Sequence, residues 1–291
     1  MLLFDYVLLI TLAAIWGSSF IFMRVLAPAL GPVATADMRL LIAGIALTLY
    51  LRLRNQRLDL VKNLKRYIII GLLNSGIPFL LFSFAALYLP SSISVIINSL
   101  TPLFGVLFSI LWLSEKMTAK KISGIALGIV GVIIIRGSGN LELNVMTTVA
   151  MAACVLATML YGLASTYVKL HAKDIASSAV ATGSQLVAGI LLLPLIYFFP
   201  TRTELTITIA LTTIAFALFC SAIAYVIFYR LLKNLGTTKA LSVTFLIPVF
   251  GFIWGYIFLQ EEITAIMIIG SVFVLSGIYF VTGNEYQKKI G

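Results

Sequence analysis

Charge is what this sequence has least of: 10% of its 291 residues are charged, against 61% hydrophobic. That is too little polar material to cover a soluble globule, so a soluble fold is excluded. Metal-ligating and nucleophilic residues are scarce too. His171 is the single histidine, and the two cysteines, Cys154 and Cys220, fall in separate apolar segments, where they pack as reduced thiols rather than forming a disulfide or a metal site. Carboxylates are also few. Asp5, Asp37, Glu115, Glu261 and Glu262 all fall at or near the expected helix ends, so no carboxylate is expected deep in the membrane. A membrane enzyme would lack its catalytic group, and a pump for lipophilic cations would lack its buried counter-ion.

What is present is a series of long uncharged runs. Residues 6–23, 40–51, 67–114, 122–135, 143–168, 175–201, 205–229, 240–260 and 263–284 carry no charge, and a bilayer core takes about 20 apolar residues per helix. As one helix the 67–114 run would extend roughly 72 Å, so it must fold back, and Tyr88-Leu89-Pro90-Ser91-Ser92 marks the turn. The expected fold is an all-α polytopic membrane protein of ten transmembrane helices. The net charge of +10 then reports orientation rather than nucleic-acid binding. With the N-terminus inside, sixteen of the twenty basic residues collect on the inner side, Lys288 and Lys289 among them. Arg24, Arg136 and Arg202 fall outside, Arg39 falls within helix 2, and both termini are cytoplasmic. No cleavage site follows the first apolar stretch, so it is expected to stay as a helix rather than to leave as a signal peptide.

The chain also repeats itself. Asn98 to Thr118 lies over Thr244 to Thr264 at a shift of 146 residues without a gap, pairing Pro102 with Pro248, Gly105 with Gly251 and Glu115 with Glu261. Gly124, Gly131 and Gly137 fall on Gly270, Gly277 and Gly283. The expected domains are therefore two related five-helix halves, residues 1–139 and 145–284, joined near Asn140 to Asn144. An odd helix number inverts the second copy. The charges agree, since Lys116, Lys120 and Lys121 fall on Glu262, Ile266 and Met267. Inverted repeats of this kind place a substrate near the midplane between the halves.

Prolines within apolar runs point to the site. Each leaves the carbonyl four residues earlier without a donor: Asn74 for Pro78, Asn98 for Pro102 and Thr244 for Pro248. In lipid such groups are tolerated where protein or a watery cavity reaches them. Pro194, with the apolar Ile190 four residues before it, predicts a plain kink. Asn74, Asn98 and Thr244 are thus candidate substrate-binding residues, with Trp16 and Tyr161, each followed by glycine, as aromatic walls or as packing. Arg39, whose shifted counterpart is Gln185, must snorkel, pair or bind a ligand. Glu115 and Glu261, about 20 Å beyond the prolines, are expected at opposite mouths as gate contacts. Tyr225 and Tyr229 are expected as interfacial anchors.

Trp16-Gly17, Arg39, and the blocks from Pro102 to Glu115 and from Pro248 to Glu261 together resemble the drug/metabolite transporter superfamily, and within it the EamA-like ten-helix carriers. The resemblance spans about residues 5 to 283. It implies an inner-membrane carrier of small organic metabolites, amino acids or related solutes, commonly an exporter. Its partners are the bilayer and a small-molecule substrate, with no cofactor, no nucleic acid and no chemistry on the substrate. The oligomeric state is left open, a monomer being compatible with that activity.

Overall fold

The computed structural model describes residues 2–137 and 144–287, and among these the structure is all-helical, without strands. The first helical run, Leu2–Leu53, is split at Gly31, which takes φ 77° and ψ 160°. Pro32 disfavours helical geometry in the residue before it, and glycine alone adopts this positive φ without a steric cost. The two parts are α1 (2–30) and α2 (32–53). There follow α3 Leu60–Ala85, α4 Ser91–Leu113, α5 Ala119–Arg136, α6 Val145–His171 and α7 Ser177–Phe198. Gly236, at φ 79° and ψ 165°, separates α8 (207–235) from α9 (237–259), and α10 is Ala265–Gln287. The expected joint between the halves, Asn140 to Asn144, falls mostly outside the described residues, as do Lys288 and Lys289.

Helix ends follow local chemistry. Asn144 and Thr147 form a reciprocal capping box at α6, while Thr118 and Thr206 accept from backbone amides at the starts of α5 and α8. The twin segments end alike: α4 closes on Ser114 at φ 56° and α9 on Gln260 at φ 53°, with the next amides, of Glu115 and Glu261, reaching the carbonyls of Ser109 and Gly255.

Six helices are long and apolar enough to cross a membrane, and Leu3–Leu53, at 51 residues, is long enough to do so twice. Large apolar side chains lie exposed on the outside of the rods, Leu111, Ile207, Tyr256 and Tyr279 among them, as a lipid-facing surface requires. This is an integral membrane protein.

Small residues set the packing. Gly124 lies against Gly277 and Gly131 against Gly270, so α5 and α10 meet through positions that the 146-residue shift interchanges. The same reciprocity holds nearer the centre. Gly17 of α1 sits on Phe250 and Gly251 of α9, and Gly162 of α6 sits on Phe104 and Gly105 of α4. The largest buried cluster gathers Phe20 and Leu26 of α1, Phe82 of α3, Ile96 of α4, Cys154 of α6 and Phe216 of α8.

Candidate functional site

Two stretches of π-helix interrupt the rods at equivalent places. Leu72–Gly76 lies in α3 and Leu218–Ile223 in α8, and position 72 shifted by 146 is position 218. In α3 the cause is visible in the sequence, since Pro78 has no amide to give and the Ile77 amide reaches the Leu72 carbonyl. In α8 the equivalent residue is Ala224, so no proline announces the distortion.

Pro102 and Pro248 behave differently despite being twins. Pro102 sits in the first turn of a new helical segment, Thr101–Leu113, where its missing amide costs nothing. Pro248 lies inside the continuous segment Val243–Leu259. The expectation of a free Asn98 carbonyl is corrected: the Thr101 hydroxyl donates to it at 2.8 Å, so the kink is satisfied from within. Asn98 nonetheless lines the cavity.

That cavity has a volume of about 360 Å³ and is walled by α1, α2, α3, α4, α6, α8 and α9. It brings together Trp16, Asn74, Asn98, Tyr161 and Thr244, with Arg39 and Pro102. Gln185, Glu115, Pro248 and Glu261 lie apart from it. Tyr225, expected as an interfacial anchor, instead forms part of the wall, its ring 6.1 Å from Trp16 in an edge-on arrangement. Tyr161 stacks on Phe82 at 6.1 Å. Each aromatic-glycine pair therefore does two things. The glycine admits the neighbouring backbone, and the ring before it lines the cavity.

Arg39 is 5% exposed and is held on several sides. Its Nε donates to the Ser221 hydroxyl at 2.8 Å and its Nη2 to the Cys220 carbonyl at 3.3 Å, both from the π-helical stretch of α8. The rings of Phe79 and Phe216 lie 3.7 and 4.5 Å from its central carbon. No carboxylate contacts it among the described residues. Gln185, its shifted counterpart, is fully buried in α7 with both amide atoms unpartnered among the described residues. Cys154 and Cys220 are free thiols, both buried.

The carboxylates divide by partner. Asp5 accepts from Arg230 and Asn234, linking α1 to α8. Glu261 accepts from the amides of Ser91 and Ser92 at 2.6 and 3.0 Å, so α9 caps the start of α4. Glu115 pairs locally with Lys121 at 3.0 Å. Asp37, expected near an interface, is 1% exposed with both oxygens unpartnered among the described residues. In the loop after α6, hydrogen bonds from Arg66 hold the Asp174 carboxyl below its usual range.

The profile of the EamA-like transporter family matches this chain twice, over residues 3–137 and 148–283. The chain belongs to the EamA-like transporter family. It is 24% identical to the uncharacterized transporter YoaV of Bacillus subtilis, covering 97% of this chain and 98% of YoaV. A probable amino-acid metabolite efflux pump of Escherichia coli is 22% identical, covering 98% of this chain and 97% of the pump. The uncharacterized inner membrane transporter YedA of Escherichia coli is 33% identical over 137 residues, 47% of this chain and 44% of YedA. A solved crystal structure shares the fold, with a TM-score of 0.69 at 15% identity and 98% of each chain covered. The EamA-like protein is thus a transporter and not an enzyme, like the relatives named for that activity.

Proposed function

We propose that this EamA-like protein is a secondary transporter that exports small organic metabolites, amino acids or related solutes, by alternating access across the plasma membrane. Its ten helices cross the bilayer as two inverted five-helix units, residues 1–139 and 145–284, with both termini cytoplasmic. Trp16, Asn74, Asn98, Tyr161 and Thr244 bind the substrate. The observation that carries this reading is the cavity itself, walled by helices from both halves of the chain. The reciprocal contacts of Gly17 with Gly251 and of Gly162 with Gly105 support a pseudo-twofold relation between the units. Basic residues clustered in segments 52–66, 114–121 and 230–239 support the orientation.

Rocking of the units needs contacts that form at one end and release at the other. Glu261 supports this by joining α9 of the second unit to α4 of the first, while its counterpart Glu115 is engaged within its own unit. With the proposed orientation the Glu261 contact closes the outer mouth. The similarity to the probable amino-acid metabolite efflux pump of Escherichia coli supports export of metabolites. A lipophilic-cation pump finds no such support, since no carboxylate lines the cavity among the described residues.

The test is counterflow in proteoliposomes against pooled amino acids and related solutes, with and without a pH gradient, together with sided labelling of cysteines introduced at Asn55 and Thr203. Saturable exchange and labelling from opposite faces are expected. Absence of exchange for every pool sinks the transport reading, and labelling of both sites from one face sinks the inverted arrangement.

A further inference from the structure

Arg39 is a cation without a counter-ion among the described residues. An unpaired guanidinium in an apolar interior is costly, and here aromatic rings and two hydrogen bonds hold it without neutralising it. Those bonds use Nε and one hydrogen of Nη2. Nη1 has no partner among the described residues, and Arg39 lines the cavity. The group is fixed in place by Ser221 and the Cys220 carbonyl and sandwiched by Phe79 and Phe216, so a ligand meets it already oriented.

We propose that Arg39 is the anion-binding group of the cavity and that the substrate is a small organic carboxylate. Its charged end meets the Arg39 guanidinium, and its apolar body lies against Trp16, Tyr161 and Tyr225. This rests on the transport reading for its biological meaning, but the site is defined by its own chemistry. A guanidinium offers parallel N–H donors that match the two oxygens of a carboxylate. The rest of the wall is aromatic and aliphatic, with Asn74, Asn98 and Thr244 and the hydroxyl residues Ser19, Ser99, Thr101 and Ser165 as its polar groups, which is the usual form of a small-molecule pocket. A cation would enter against the charge of Arg39 with no carboxylate on the wall to receive it. An amide of the same shape would fill the same space and leave the guanidinium unpaired. The carboxylate end is therefore what selects the ligand.

The experiment uses the full chain in lipid nanodiscs and three probes that differ in the head group: phenylacetate, phenylacetamide and phenethylamine. Binding is measured by calorimetry. Phenylacetate is expected to bind roughly tenfold to a hundredfold more tightly than the other two, as the loss of a charge-assisted hydrogen bond in a buried site predicts. Arg39→Gln is expected to abolish the preference for phenylacetate over phenylacetamide, and Arg39→Lys to recover part of it. The comparison of acid with amide on the unaltered protein needs no variant, so a misfolded variant does not blunt the test. Equal affinities for acid and amide, tighter binding of the amine, no binding of any probe, or an acid-to-amide ratio unchanged in a folded Arg39→Gln protein would each overturn the assignment. A protein that binds the acid but moves no solute in counterflow keeps the anion site and loses the transport reading; one that exchanges solutes without preferring the acid does the reverse.

Discussion

Glu261 holds the backbone amide of Ser91 at 2.6 Å and that of Ser92 at 3.0 Å, so a carboxylate from one half of the chain caps a helix in the other. The cap unites a negative charge with the positive end of α4, where the first amides have no helical partner. Its counterpart Glu115 follows an equivalent helix end but is held by Lys121. Two carboxylates in matching turns thus do different work, and the difference marks which end of the molecule is joined.

Glu261→Gln leaves one acceptor where two were used, and is expected to weaken the joint by about 1–2 kcal/mol. In a background lacking the native cysteines, a cysteine at Ser99 should then label several-fold faster from outside, with equilibrium substrate affinity unchanged. Glu115→Gln should leave outside labelling as it was. Equal effects of the two variants would remove the asymmetry from the mechanism.

Asn98→Leu and Thr244→Val each take a polar group from the cavity while keeping side-chain bulk. Substrate binding is expected to weaken about tenfold for each, with normal insertion into the membrane. Thr101→Val is the control for the kink, since it frees the Asn98 carbonyl without touching the Asn98 amide. Thr101 also lines the cavity, so Thr101→Ser, which keeps the hydroxyl, is expected to restore binding, and normal binding in Asn98→Leu would remove Asn98 from the site.

A side chain at Gly162 has no room. A methyl placed there would lie 2.7 Å from the Gly105 nitrogen and equally close to Phe104, and at Gly17 the Phe250 Cβ is 2.9 Å away. Gly162→Val and Gly17→Val should each lower stability by about 1–3 kcal/mol. Thermal unfolding in detergent reads this, and an unchanged midpoint would mean the helices part without cost.

Asp37 is buried with neither oxygen bonded among the described residues. Removing its charge is therefore expected to stabilise the fold. Asp37→Asn should raise stability at neutral pH by about 1 kcal/mol, and a clear drop would reveal that the carboxylate is held by a partner in the working protein.

The Asp174–Arg66 pair has a pH signature of known sign. Hydrogen bonds from Arg66 favour the ionised carboxylate, so Asp174 is lowered when folded. Its contribution is present above the ordinary carboxylate range and is lost as pH falls through the lowered value. The pair is exposed, 37% and 62% for its two side chains, so the effect is small. Asp174→Asn should shift the thermal midpoint little at neutral pH and not at all below the folded titration.

Composition and spacing by themselves determined the membrane character, the duplicated segment around Pro102 and Pro248, and the polar positions beside the prolines. Those properties are local: apolar length sets a span, and a proline disturbs the backbone within a turn of itself. Asn74, Asn98 and Thr244 were legible for that reason, and Trp16 and Tyr161 through the glycines that follow them. Tertiary structure alone decided the rest. A helix apolar on all sides carries no amphipathic stripe to say which face meets a neighbour, so nothing in the sequence turned Tyr225 inward, buried Asp37 or aimed Arg39 at a π-helical stretch that no proline announces. The two glutamates show the same division. Their matching turns follow from matching residues, but which of them reaches across to the other half depends on how the halves are tilted, and that is a property of the packed molecule.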